Sequence, residues 1–220
     1  MFHPWDITPK EAIALQKQLA SHVVLKPLPK RISLIAGADV GYSSRYNSAV
    51  AALAIYTYPS LEFRELVQFS DEINYPYVPG LLSFRELPIL LKTFPLLQEQ
   101  PDVVLCDGQG VAHPRRLGVA SHLGLWLDLP TVGCAKTRLV GTHGKIGPKK
   151  GQYSFLLHRR ERVGVVLRTR TMVKPLYVSP GHLADVQSSL RLVIRCCLKY
   201  RLPEPIRRAH QAVQWAVRGV

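Results

Sequence analysis

Apolar and polar positions alternate along the chain with two periods, and the switches between them mark its elements. Ala12, Leu15, Leu19 and Val23 recur at helical spacing. Thr8-Pro9-Lys10-Glu11 precedes them with capping-box spacing and proline at the first helical position, so a helix is predicted to open there. Lys26-Pro27-Leu28-Pro29 ends it. Residues 32–42 (ISLIAGADVGY) read as a strand of small and apolar residues carrying one acid, Asp39. Residues 49–58 and 62–69 flank Pro59-Ser60 and predict a hairpin continuing from that strand, giving three antiparallel strands in a row.

A proline-punctuated loop follows, Tyr75-Pro76-Tyr77-Val78-Pro79-Gly80, and then a helix running to Leu97. Pro88 falls inside that helix, which predicts either a start near Leu87 or a kink. Residues 103–107 (VVLCD) form a short apolar run that ends at Gly108-Gln109-Gly110, the pattern of a buried parallel strand and its turn into a helix. A helix at 117–127, a strand at 131–136, strands near 163–167 and 172–178, and helices at 183–200 and 204–217 complete the chain. This order predicts an α/β fold, a mixed sheet with helices on both faces, in a single domain over residues 1–220.

Composition narrows the class. With 220 residues and 47% hydrophobic positions, the chain is long enough to bury a core without a disulfide or metal staple. Its longest uncharged apolar stretch, residues 48–61, is 14 residues, against the ~20 that span a bilayer, so no membrane partner is expected. The N-terminus has no secretory pattern, and Cys106, Cys134, Cys196 and Cys197 show no CxxC spacing. They read as buried thiols in a reducing compartment, and the cytoplasm is the expected location.

The formal net charge is +14 and is unevenly spread. Residues 1–130 hold 11 basic and 12 acidic side chains; residues 131–220 hold 18 basic side chains against Glu161, Asp185 and Glu204. A surplus confined to one part of the chain predicts a positive face and an anionic partner, nucleic acid before membrane.

Candidate chemistry lies among the few acids of the first half. Asp39 is embedded in an apolar strand, and an unpartnered buried carboxylate is costly. Asp107 ends a second apolar strand, where open α/β sheets build their ligand sites. Glu86 belongs to Ser83-Phe84-Arg85-Glu86, whose spacing reads first as a helix cap. Two Asp and one Glu make a hard-oxygen set suited to Mg²⁺ or Mn²⁺. Beside a basic surface such a centre points to phosphodiester hydrolysis, with Lys136 placed to offset transition-state charge and His113 to shuttle a proton. Zinc-type spacings, GxSxG and the P-loop pattern are absent from the sequence. A non-catalytic nucleic-acid binder remains the alternative, although it leaves both aspartates unexplained.

Five segments taken in order, GADVGY (37–42), PYVPGLLSFRE (76–86), DGQG (107–110), HPRRLGVASHLG (113–124) and RLPEPIRRAH (201–210), closely resemble endonuclease V, the deoxyinosine 3′-endonuclease family of DNA repair. The resemblance runs from about residue 8 to residue 210 and implies an RNase H-like fold. It further implies Mg²⁺-dependent hydrolysis of the second phosphodiester bond 3′ to hypoxanthine, leaving a 3′-hydroxyl and a 5′-phosphate, with Mn²⁺ as a substitute ion. Asp39, Asp107 and Glu86 match the metal-binding acids, and Tyr77 matches the wedge that enters the duplex as the damaged base leaves. Gly80, Leu82 and Gly108 correspond to the base pocket, and Arg85, His113, Lys136 and His210 to positions around the catalytic centre. Damaged, inosine-containing DNA is the implied partner, inosine-containing RNA a second one, and a monomer the expected working unit. Arg85, with Lys145, Lys149 and Lys150 of the basic loop 144–151, is assigned to the DNA backbone; the resemblance does not constrain that loop. Residues 181–185 (GHLAD) also depart from the serine-bearing helix start expected there.

Overall fold

In the computed structural model, which describes residues 3–43 and 47–218, the first helix is α1 (Pro9–Ala20). Its capping box forms as predicted. The Thr8 hydroxyl accepts from the Glu11 amide, and the Glu11 carboxylate accepts from the Thr8 amide at 2.8 Å. Three strands follow, β1 (Leu34–Ser43), β2 (Ser48–Thr57) and β3 (Phe63–Glu72), paired antiparallel in the predicted meander.

Helix α2 (Leu82–Thr93) leads to β4 (Val103–Cys106), α3 (Val119–Leu127) and β5 (Thr131–Ala135). Strand β4 lies parallel between β1 and β5, as its apolar run predicts. Beyond β5 the chain forms β6 (Tyr153–His158), β7 (Glu161–Leu167) and β8 (Leu176–Pro180), then α4 (Val186–Cys196) and α5 (Glu204–Arg218). These last strands pair antiparallel and complete one eight-stranded sheet in the order β3-β2-β1-β4-β5-β8-β7-β6.

The two faces of the sheet carry two cores, and period-2 alternation sorts residues between them. Ile35, Val103 and Leu105 face α4 and α5, packing with Ile206, Ala209 and Val213. Ala36, Val104 and Cys106 face the other way, against Leu87, Leu90 and Leu123 of α2 and α3. All four cysteines are free and buried. Among the described residues, no helix is long and apolar enough to cross a membrane.

Four local expectations are corrected. Helix α2 starts at Leu82 and continues through Pro88, so of the two readings of that proline the start near Leu87 falls away. The spacing of Ser83 and Glu86 does not make a capping box, because the Ser83 hydroxyl is engaged by His122 Nδ1 at 3.0 Å. Strand β8 begins at Leu176 rather than near Met172, which is 79% exposed with φ 62° and belongs to the preceding turn. At the start of α4, Asp185 supplies the cap that a serine was expected to give, accepting from the Ser188 amide at 2.7 Å.

Candidate active site

Helix α5 approaches β1 at two glycines. A Cβ on Gly37 would lie 2.1 Å from the Pro205 carbonyl carbon, and one on Gly41 would lie 2.2 Å from Val213 Cγ1. Only residues without side chains allow that approach. Asp39 lies between them on the same face, and the helix carries His210 to it, with Nδ1 2.7 Å from Asp39 Oδ2. The pattern Gly-x-Asp-x-Gly is therefore the local reason that an acid in an apolar strand acquires a partner 171 residues away.

Asp107 arrives from the neighbouring strand. Its amide donates to the Ala38 carbonyl at 3.0 Å, which carries the β1–β4 pairing one residue past β4. Its carboxylate accepts from Lys136 Nζ at the end of β5. Asp39, Asp107 and His210 each present a ligand atom, and these atoms lie within 4.8 Å of one another.

Glu86 comes from the opposite face, on α2, and accepts a hydrogen bond from Tyr42 Oη at 3.2 Å. Burial, and then the charges of Asp39 and Asp107, raise its pKa well above the carboxylate range. Asp107 is raised by the same causes in the same order, burial and then Asp39, against the opposing pull of Lys136 and His210. Three acids at close quarters, two of them with raised pKa values, form a set that a divalent cation would relieve. The oxygen-rich donors, completed by one imidazole, fit such an ion. Glu86 faces this cluster but is not one of its three mutually close ligands.

Asp107 also belongs to the wall of a cavity of about 490 Å³. Tyr77, Gly80, Leu82, Gly108, His113 and Lys136 share that wall, so with Asp107 the structure gathers half of the fourteen sequence-derived candidates around one space. Tyr77 is 69% exposed at its rim, between Pro76 and Pro79.

His113, expected as a proton shuttle, has both ring nitrogens engaged within the protein. Its Nδ1 accepts from the Arg115 amide at 3.2 Å, which leaves Nε2 to donate to the Gly80 carbonyl at 3.0 Å. Burial, reinforced by the nearby Arg115 charge, pushes its pKa down to about 4, so the ring is neutral with both nitrogens engaged.

Two of the side chains assigned to the DNA backbone are engaged within the protein. The Arg85 guanidinium donates to the Tyr75 carbonyl at 3.1 Å and lies 4.5 Å from the centre of the Tyr42 ring, so it braces the loop before α2 rather than reaching outward. Lys150 donates to the carbonyls of Cys197 and Leu198 at the end of α4. Lys145 and Lys149 are exposed.

The sequence reading missed the pair that holds the cavity together. Gln16, fully buried between Ala12 and Leu19 on α1, donates to the Gly80 carbonyl at 3.0 Å and the Leu117 carbonyl at 3.3 Å. Its own carbonyl accepts from Arg115 Nε, while Arg115 Nη2 donates to Gly80 O at 2.7 Å. The Gly80 carbonyl thus receives three donors, at a residue whose φ of 80° favours glycine. The available signal was a glutamine occupying a core position of an apolar helical stripe.

Comparison with known proteins agrees with this arrangement. The family model described as Endonuclease V matches residues 17–211. An "Endonuclease V" of Dehalococcoides mccartyi is 49% identical over 210 residues, covering 96% of this chain and 94% of the relative. The crystal structure of the endonuclease V of Streptomyces avermitilis superposes with a TM-score of 0.92 at 38% identity, covering 98% of this chain and 95% of that one. The endonuclease V of Ciona intestinalis, crystallised with a 23mer DNA containing an inosine followed by a ribo-adenosine, has a TM-score of 0.85 at 26% identity, covering 97% of this chain and 99% of that one. By the extent of the family match and the identity of these relatives, the chain belongs to the endonuclease V family.

Proposed function

We propose that this protein recognises hypoxanthine in DNA and hydrolyses the second phosphodiester bond on its 3′ side, with Mg²⁺ as cofactor and Mn²⁺ as substitute. The observation that carries the reading is the double membership of Asp107, which belongs both to the acid–histidine cluster and to the wall of the cavity. A volume of about 490 Å³ falls within the ~300–1,000 Å³ typical of small-ligand sites. A base held in the cavity therefore keeps the strand that carries it beside the carboxylates. The DNA complex of the Ciona relative supports the choice of lesion.

Asp39, Asp107 and His210 would hold the cation, with Glu86 beside them. When bound, it supplies Lewis-acid polarisation of the phosphoryl oxygen and a water of lowered pKa. The remaining roles belong to the chain itself. Lys136, paired with Asp107, offsets negative charge that develops on the phosphoryl group. Tyr77, held by its flanking prolines, fills the gap that the extruded base leaves in the duplex. Gly80 and Gly108 bring backbone polar groups to the base edge, and Leu82 packs beside the base. His113, Arg115 and Gln16 fix the Gly80 carbonyl, so His113 acts in positioning rather than proton transfer. The proposed working unit is a monomer.

The test is cleavage of an end-labelled duplex carrying one deoxyinosine, with Mg²⁺ or EDTA, by the wild type and by Asp39→Ala and Tyr77→Ala. A Mg²⁺-dependent nick at the second bond 3′ to the lesion, lost in Asp39→Ala and weakened in Tyr77→Ala, is expected. An inosine-containing single-stranded RNA run in parallel decides whether RNA is a further substrate. Tight binding without cleavage of either would replace this reading with that of a binding protein.

A further inference from the structure

Arg159 and Arg160 form the whole turn between β6 and β7, since His158 pairs with Glu161 and Leu157 with Arg162. Both have positive φ, 52° and 67°. A two-residue hairpin loop with both residues left-handed is a type I′ turn, which favours Asn-Gly. Arginine carries a Cβ that this region disfavours, and neither arginine gains a compensating contact. Both are exposed, and among the described residues neither side chain has a hydrogen-bond or ion-pair partner. Three other cations of this half are committed within the protein: Lys150 to the end of α4, Arg168 to the Gly147 and Val173 carbonyls, and Arg201 to the Lys136 and Pro175 carbonyls.

The hairpin is attached to both walls of the cavity. Thr142 and Leu157 exchange two backbone hydrogen bonds of 2.8 Å, tying it to the segment that bears Lys136, Thr137 and Leu139. Glu161 pairs with Arg116 at 2.8 Å, tying it to the loop that bears His113 and Leu117. The acid nearest the turn is thereby engaged on Arg116, and the two guanidiniums stand free on a hairpin tied to both of those segments. A disfavoured backbone that presents two unpaired charges, in a region with 18 basic and three acidic residues, calls for an anionic partner.

We propose that the Arg159–Arg160 turn is a contact for the phosphate backbone of the substrate nucleic acid, outside the cavity that takes the base. This rests on the proposed function for the identity of the substrate. The turn adds affinity without reading sequence.

Two double variants test it, R159Q/R160Q, which removes charge, and R159N/R160G, which removes charge and also gives the turn its favoured residues. Binding to an inosine-bearing duplex and to the same duplex without the lesion is measured in EDTA across a salt series. Both variants are expected to bind each duplex more weakly and to lower the magnitude of the log K against log salt slope by about 1.8, two phosphates at ~0.9 each. R159N/R160G is also expected to unfold at a higher temperature than the wild type, which separates weaker binding from a damaged fold. Wild-type salt slopes in both variants would overturn the proposal. Wild-type cleavage of the inosine duplex is scored separately, so failure of the substrate assignment leaves the slope comparison readable.

Discussion

Replacing Gln16 with methionine tests whether the cavity is held from outside, by a helix that contributes nothing to the acid cluster. Methionine keeps the length and nearly the volume of glutamine, so the stripe formed by Ala12 and Leu19 stays packed. The hydrogen bonds are lost: two donated to the Gly80 and Leu117 carbonyls and one accepted from the Arg115 guanidinium. Neutral bonds contribute about 1 kcal/mol each and one to a charged group about 1.5–3, while half-buried Arg115 regains part of its hydration. The expected cost is about 3 kcal/mol, a fall of roughly 6–12 °C in the unfolding midpoint of a chain this size. Gly80 keeps its bonds from His113 and Arg115, so the loop loosens without detaching. The functional signature is a higher KM for the inosine duplex with a smaller change in kcat. Arg115→Met completes a double-mutant cycle, and residues sharing one network should show about 0.5–3 kcal/mol of coupling. A Gln16→Met loss below about 1 kcal/mol, additive with Arg115→Met, would refute the idea that this pair secures the cavity.

Three further outcomes follow from the charges. Folded His113 has its pKa near 4 against ~6.5 when unfolded, so the unfolded chain binds more protons between those values; stability is full above about pH 6.5 and falls by about 3 kcal/mol toward pH 4, and denaturation series should show His113→Asn losing that share. Glu86 has its pKa raised, so its contribution is favourable in acid and is lost as pH rises through its folded value; in EDTA, Glu86→Gln should unfold at a higher temperature than the wild type at pH 8 but not at pH 4, whereas Mg²⁺ at 100 times its Kd should stabilise the wild type by ~2.7 kcal/mol and leave Asp107→Asn unmoved. Lys145→Met and Lys149→Met should weaken duplex binding and flatten its salt dependence at unchanged stability, whereas Lys150→Met should chiefly lower the unfolding midpoint.

What could be read from the chain followed range in sequence. Alternation within a strand and capping at a helix start are local, so β1 to β5 and α1 were legible. Asp39 and Asp107 drew attention because acids interrupt apolar runs there, and a short run carries that information by itself. Strand β6 was not legible because it lies at a sheet edge with most of its residues at least partly exposed, leaving little apolar alternation to detect. Composition could not distinguish free cations from committed ones either. Arg85 and Lys150 carry the same formal charge as Lys149, yet backbone carbonyls that hold their heads become neighbours only on folding.

The acid cluster itself works against the fold. Glu86, 7% exposed, meets the fields of Asp39 and Asp107, and an arrangement that raises carboxyl pKa values destabilises the protein at neutral pH. It persists because each acid is set by an element anchored elsewhere. Gly37 and Gly41 seat α5 and therefore His210, the β1–β4 pairing sets Asp107, and Leu87 and Leu90 bury the face of α2 that adjoins Glu86. A cation would convert that repulsion into affinity, because the energy stored among the carboxylates is recovered when the ion binds. Relieving the strain by mutation should therefore trade metal affinity for stability in the metal-free protein, a trade that an uncharged or structural role for these acids would not produce.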